Sequence, residues 1–421
     1  MDEKISIAEL APMGDGVHQS TRGRIYVDRA LPGDVVEVKI HKAGGLLRGD
    51  ITRLVETSSH RIDAPCRHYA ECGGCMLQHA SEDFYRTWKT GVVRAALERE
   101  RLSPETWQSP IFLPPGQRRR VTFAALKKKG GVQLGFFRRR THNVTDITAC
   151  LIADPAIMDL RKLLASRLLP ILQDDKPADI FIQIVGEQSE VVITGPVGHK
   201  GRPDLQVYEA AAELAHAAKI TRIAWRPREH AESEILLEVN PLLAKFGSLT
   251  VALPPLAFLQ PTKSGEDALV WAMMEALPKK GRFADLFAGC GTFSGAMLAR
   301  GSVDAYEISN AAVGALNKSK GPQPLNVYQR NLFENPLEAN EAKRYDAIVF
   351  DPPRIGALAQ VHALASGETP LIVGVSCNPI TFARDARILV NGGYKLKSVQ
   401  VVDQFTWSYH VELVATFTKS A

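Results

Sequence analysis

Apolar positions change their spacing along the chain. Up to about residue 60 they form short alternating or β-branched runs. Those at 24–27 and 35–40 predict strands, with Leu31-Pro32-Gly33-Asp34 as the turn between them. Gly14, Gly16, Gly44 and Gly45 punctuate the rest, and a small β-barrel of about five strands fits. Such barrels often bind oligonucleotides, although a plain β-module reads the same way. A helical period runs from 82 to 100 and stops before Pro104. Between 110 and 250 strands and helices mix without one period: 180–185 and 191–194 read as strands, 208–218 as an alanine-rich helix. From 264 onward a helix at 264–277 leads to a strand at 282–287, a glycine turn and a helix to 300. Further strands are predicted at 303–308, 345–350, 371–375, 396–402 and 411–417. Strands alternating with helices predict a parallel, doubly wound sheet. Pro379 and Asn391-Gly392-Gly393 bracket one of its helices with the expected start and stop chemistry.

The turn Asp285-Leu286-Phe287-Ala288-Gly289-Cys290-Gly291-Thr292-Phe293 follows a predicted strand and opens a predicted helix. Gly289 and Gly291 let the backbone turn tightly and a ligand approach it. No third glycine stands in dinucleotide spacing, and no Gly-Lys-Ser/Thr marks a phosphate loop. Glu307 ends the next strand, where an acid suits a ribose diol. A purely structural turn is the plainer reading. With strand, turn, helix, strand and acid in this order, the segment resembles the first motifs of the class I S-adenosylmethionine-dependent methyltransferases.

Asp351-Pro352-Pro353-Arg354 and Ser376-Cys377-Asn378-Pro379 each end a predicted strand. Prolines cannot continue a central strand, so Asp351 and Cys377 are expected at the carboxyl edge of the sheet, where open α/β sheets bind ligands. A lone cysteine is more often a small buried apolar residue. At this edge, before a helix N-terminus expected to lower its pKa, Cys377 becomes a candidate nucleophile. His410-Val411-Glu412 opens the last strand with His410 and Glu412 on one face. These three segments, with Phe382-Ala383-Arg384-Asp385, resemble the RNA uridine-5-methyltransferase family, which modifies transfer and ribosomal RNA.

That resemblance implies a mechanism and a set of residues. Carbon 5 of uracil is a poor nucleophile until a thiolate adds at carbon 6 and makes it enolate-like. The resemblance implies Cys377 as that thiolate and Glu412 as the base that removes the carbon 5 proton, with the target base flipped out of its stack. It implies S-adenosyl-L-methionine bound by Gln260, Phe287, Glu307 and Asp351. Gln260 lies in Phe258-Leu259-Gln260-Pro261-Thr262, where Thr262 replaces the family's usual asparagine, and Asn331 is a weaker adenine-side candidate.

Six cysteines occur. Cys66, Cys72 and Cys75, with Gly73-Gly74 between the last two, are spaced as metal or cluster ligands, and Cys150 is the natural fourth. Four thiolates suit zinc as well as an iron–sulfur cluster, and inert core thiols are a further reading. Ribosomal members of the resembled family carry this spacing with a 4Fe–4S cluster, so the resemblance implies that cluster, in a structural and RNA-organising role.

The chain has 51 basic and 46 acidic residues, a formal charge of +5. From 117 to 145 there are nine Lys/Arg and no acid, as Arg118, Arg119 and Arg120, Lys127, Lys128 and Lys129, and Arg138, Arg139 and Arg140, interleaved with Phe123, Phe136 and Phe137. Basic clusters with aromatics predict an RNA surface; a solvated charged hairpin is the alternative. No run of 18 apolar residues occurs, and Met1-Asp2-Glu3-Lys4 opens without a basic or apolar leader. No membrane span or secretory signal is expected, and a cytoplasmic monomer is.

The expected fold is therefore an α/β Rossmann-like class I methyltransferase domain at 251–421. It follows a central α+β iron–sulfur domain at 59–250 and an N-terminal OB-like β-barrel resembling a TRAM domain at 1–58. The expected activity is methylation of carbon 5 of a uridine in RNA, with 23S rRNA as partner. Three alternatives stand beside it. One is tRNA uridine-5 methylation. The second is methylation of an exocyclic amine, which Arg354, Cys377 and Glu412 disfavour. The third is a non-catalytic RNA-binding iron–sulfur protein.

Overall fold

The computed structural model describes residues 2–419. The N-terminal strands form one six-stranded sheet, one strand more than expected. Its order is Glu3–Ser6, Val35–Ala43, Leu46–Glu56, Gly23–Val27, Gly16–Ser20 and Glu9–Leu10. Alternation along Gly23–Val27 and Val35–Ala43 buries Ile25, Val27, Val36 and Val38 against Ile5, Ile7 and Ala30. Asp34, in the predicted turn, is buried and takes the backbone N–H groups of Leu31 and Ser58 together with the guanidinium of Arg61. It thereby ties this sheet to the cysteine-bearing segment.

The middle of the chain forms a seven-stranded, mostly antiparallel sheet. Its order is Val144–Asp146, Gly131–Phe137, Arg120–Lys128, Pro177–Val185, Gln188–Thr194, Arg222–Arg226 and Glu234–Glu238. Helices Pro155–Arg167 and Leu205–Ala218 supply Ile157, Leu160, Leu164, Val207, Ala211 and Leu214 to its core.

The C-terminal part carries the doubly wound sheet. Leu325–Gln329, Gly301–Glu307, Gly281–Leu286, Ala347–Phe350 and Leu371–Ser376 run parallel in that order. Glu412–Lys419 inserts antiparallel between Leu371–Ser376 and Tyr394–Asp403. The chain crosses from one half of the sheet to the other between Gly281–Leu286 and Ala347–Phe350, so the strand ends Leu286, Phe350 and Ser376 open on one edge. Ala347–Phe350 is buried at every position, as a central parallel strand requires.

Packing does not follow the order of the chain. Helix Glu82–Arg99 buries Val93, Ala96 and Leu97 in the core of the doubly wound sheet, and Thr106–Trp107 and Ile111–Phe112 pair with its edge strand Tyr394–Asp403. The hairpin Leu243–Phe246 and Leu249–Ala252 joins the opposite face of the same sheet. The limit expected at 250 falls inside strand Leu249–Ala252, and residues 82–112, expected in the central part, pack on the C-terminal sheet. Among the described residues no helix is long and apolar enough to cross a membrane.

Candidate functional site

The glycine turn forms as expected. Gly289 and Gly291 have φ of 54° and 92°, the left-handed region that glycine enters freely. Phe287, at φ 63°, enters it without that freedom, a kind of outlier that clusters at binding sites. Its ring centroid lies 5.4 Å from that of Phe333. Glu307 ends its strand and accepts the Gly289 N–H and the Ser309 N–H, each at 2.8 Å, so its carboxylate faces the turn. Asn331 spends its side-chain oxygen on the Phe333 N–H at 3.1 Å. Thr262, the departure from the resembled motif, caps helix Lys263–Ala276 by accepting the Gly265 N–H at 2.9 Å.

Asp351 follows Ala347–Phe350 and Cys377 follows Leu371–Ser376, both at the carboxyl edge. The two loops are tied together: Asn378 Nδ2 donates to the Arg354 carbonyl at 2.9 Å, and Thr381 Oγ1 donates to the same oxygen at 3.2 Å. Asn378 also caps helix Pro379–Asn391. Glu412 begins its strand at this edge and is 4% exposed. His410 precedes the strand in a loop rather than opening it, so the expected shared strand face of His410 and Glu412 does not exist.

Burial dominates the electrostatics. It pushes Asp351 up to about 7, opposed by donation from Gln260 Nε2 at 3.2 Å. It holds Glu412 well above the usual carboxylate range, with Asp351 and Asp403 adding repulsion and Arg120 opposing. The Cys377 thiol goes up to about 11 through burial, then Glu412 and Asp351, with only Arg354 and a backbone hydrogen bond pulling back. This overturns the lowered thiol pKa expected from the adjacent helix N-terminus. Desolvation and two neighbouring carboxylates outweigh half a unit of dipole charge. Cys377, Arg354 and Ile380 line a cavity of about 970 Å³, whose other walls include Arg24 and Arg48 of the N-terminal sheet and Trp88.

Cys66, Cys72, Cys75 and Cys150 line a second cavity of about 380 Å³ together with Arg118 and His410. Gly73 donates to the Phe137 carbonyl at 3.0 Å, and a Cβ there would meet that oxygen at 2.8 Å, so only glycine lets the two segments approach. Among the described residues no three His, Cys, Asp or Glu side chains stand close enough to hold a single metal ion. Four thiols are a donor set that fits zinc and an iron–sulfur cluster alike. His410 lines both cavities, and burial lowers its pKa to about 4, so its imidazole is neutral.

The basic segment departs most from expectation. Arg119 pairs with buried Glu266 at 2.6 Å and donates to the Gln260 carbonyl at 2.9 Å. Arg120 donates to the Leu259 carbonyl at 2.6 Å, lies over Phe258 and is pushed down to about 10 by burial. Arg118 lines the thiol cavity. Arg139 and Arg140 both bind Asp15, in the turn before strand Gly16–Ser20. Most of these cations join parts of the chain instead of forming one open RNA face; Lys128 and Lys129 are exposed, as are Arg138, which pairs with Glu71, and Arg140. Sequence patterning also gave no signal for Gln404, or for Lys89, which is buried against Asp403.

No protein-family model matches the chain. It is 34% identical to a protein described as an uncharacterized RNA methyltransferase of Agrobacterium fabrum, over 99% of both chains. It is 30% identical to the 23S rRNA (uracil(1939)-C(5))-methyltransferase RlmD of Halomonas elongata, over 97% of this chain and 88% of that one. Among solved structures, the Pyrococcus abyssi tRNA (uracil-54, C5)-methyltransferase in complex with S-adenosyl-L-homocysteine superposes with a TM-score of 0.77 at 21% identity, covering 99% of each chain. That likeness supports the fold.

Proposed function

The chain belongs to the RNA uracil-5-methyltransferase family, and from that premise we propose that it methylates carbon 5 of a uridine in 23S rRNA through a covalent adduct between Cys377 and uracil carbon 6. The observation that carries this reading is the meeting of Cys377, Asp351 and Glu412 at one sheet edge, the two carboxylates close enough to raise the Cys377 thiol, with Cys377 open to the large cleft.

In this mechanism the Cys377 thiolate bonds to carbon 6, and the electron pair of the carbon 5–carbon 6 double bond becomes enolate-like. S-adenosylmethionine supplies the methyl group that carbon 5 takes up. Glu412 then removes the carbon 5 proton. The carbon 6–sulfur bond breaks as the ring double bond re-forms, Cys377 leaves as the thiolate, and Glu412 returns its proton to solvent. A thiol held near 11 is mostly protonated in the free protein. Arg354 already opposes this rise, so the attack step needs further positive charge, which the sulfonium of a bound cofactor would supply. Glu307, Phe287, Gln260 and Asp351 bind the cofactor, Glu307 through the ribose hydroxyls.

Cys66, Cys72, Cys75 and Cys150 hold a 4Fe–4S cluster in this reading. Four thiols lining one cavity of about 380 Å³ support this reading, and the cysteine spacing of the resembled family favours the cluster over zinc. Its place between Arg118 and the Gly73–Phe137 contact gives it a structural role.

RNA containing 5-fluorouridine tests the reading. Fluorine leaves no proton at carbon 5, so the methylated adduct persists as a gel-stable complex, absent for Cys377→Ser. Methyl transfer to ordinary RNA without any such adduct refutes the nucleophile. 5-Methyluridine mapping in RNA from a strain lacking the protein separates 23S rRNA from tRNA.

A further inference from the structure

Gln404 lies in the loop between the last two strands and is 4% exposed. Its Nε2 donates to Glu412 Oε2 and, at 2.8 Å, to Gln260 Oε1. Gln260 Nε2 in turn donates to Asp351 Oδ2 at 3.2 Å. One amide thus stands between the two carboxylates of the site. Its orientation is dictated by its neighbours. Turned over, Gln404 Oε1 would face another acceptor, Gln260 Oε1. As placed, Oε1 has no partner. A buried amide that leaves its own oxygen unsatisfied is costly unless its nitrogen is needed. Room for it comes from Gly265, where any Cβ would collide with Oε1.

We propose that Gln404 is a positioning residue whose donated hydrogen bond favours the ionised, proton-accepting form of Glu412 against its burial and aims it at the reacting base. This deepens the mechanism above and rests on Glu412 being the base there. The charged and titratable groups facing Glu412 are Asp351 and Asp403, which repel its charge, Arg120, which attracts it, and the Cys377 thiol. Two repulsive carboxylates against one cation leave the carboxylate in need of a donor. Gln404 supplies it without adding a charge that would compete for the sulfonium or the RNA.

The sign follows. Donation to the carboxylate favours the ionised form, so its removal raises the Glu412 pKa and moves the acid limb of the turnover profile to higher pH. Gln404→Met keeps the volume and deletes the donor; Gln404→Glu replaces it with a further carboxylate. Both are expected to move that limb upward by about one pH unit or more. Both should also let the methylated Cys377 adduct with ordinary uridine RNA accumulate on denaturing gels, because only proton removal is slowed. With 5-fluorouridine RNA, which has no proton to remove, adduct formation should match the unsubstituted protein, and this also reports that the variants fold.

An unmoved acid limb overturns the proposal. So does fluorouridine-adduct formation slowed as much as turnover, because Gln404 would then act through Gln260 on the cofactor. If the unsubstituted protein forms no fluorouridine adduct, the covalent mechanism fails first, a result distinct from either of these.

Discussion

Replacing Lys89 with methionine should cost more stability than any exposed substitution in this chain. Lys89 is fully buried in helix Glu82–Arg99, and its ammonium donates to Asp403 Oδ1 at 2.8 Å, to the Phe405 carbonyl at 3.3 Å and to the His410 carbonyl. Asp403 is 1% exposed and has only Tyr85 Oη and the Phe405 N–H as further donors. Methionine fills the volume but takes the donor from a buried carboxylate and from two carbonyls. Breaking a buried pair from one side costs about 3–5 kcal/mol, against roughly 0–1 kcal/mol for an exposed pair. Urea unfolding of Lys89→Met, Asp403→Asn and the double variant measures the coupling directly. The double variant should recover part of the loss, because neutralising Asp403 removes the stranded charge. The same ammonium spans both ends of the loop that carries Gln404 and leads into Glu412, so turnover should fall in variants that remain folded. A loss below about 1 kcal/mol for Lys89→Met, the range of a solvated pair, refutes the reasoning.

Charge reversal of Arg119 should lower the unfolding midpoint sharply by stranding buried Glu266, while leaving the salt dependence of RNA binding nearly unchanged; a flattened salt slope with intact stability would restore it to an RNA surface. Alkylation of Cys377 in the free protein, followed by peptide mass spectrometry, should rise about tenfold per pH unit from pH 8 to 10, since its thiol lies near 11; a plateau below pH 9 contradicts this. On the proposed iron–sulfur reading, Gly73→Ala should reduce iron per chain after anaerobic purification, because its Cβ pushes the Cys72–Cys75 loop off the Phe137 carbonyl; unchanged iron content would show that the loop yields, and no iron in the unsubstituted protein would refute the cluster.

Much of the C-terminal fold is legible because its signals are local. A β-branched run followed by Asp-Pro-Pro or Cys-Asn-Pro must leave the sheet, so Asp351 and Cys377 land at the carboxyl edge whatever surrounds them. The glycine turn and Glu307 are fixed by adjacent strands in the same way. The central region was poorly legible because its antiparallel sheet pairs strands far apart, Arg120–Lys128 with Pro177–Val185 for example, and its runs share no single period. The basic segment misled for a related reason. A row of arginines reads as solvated charge, and nothing local says that Glu266, Asp15 and the Gln260 carbonyl will fold onto it.

The chemistry at hand is legible in the order of residues: a thiol, two carboxylates and a cofactor turn, each at a strand end that backbone rules place. Their ionisation and support came from the packing of distant segments. Gln404 meets Gln260 across 144 positions, and Lys89 meets His410 across 321. Burial raised the Cys377 thiol where the local helix alone argued for lowering it. Residue type and local pattern set what a side chain can donate, accept or attack. Desolvation and hydrogen-bond partners depend on what the rest of the chain brings within a few ångströms, and local pattern carries no record of that.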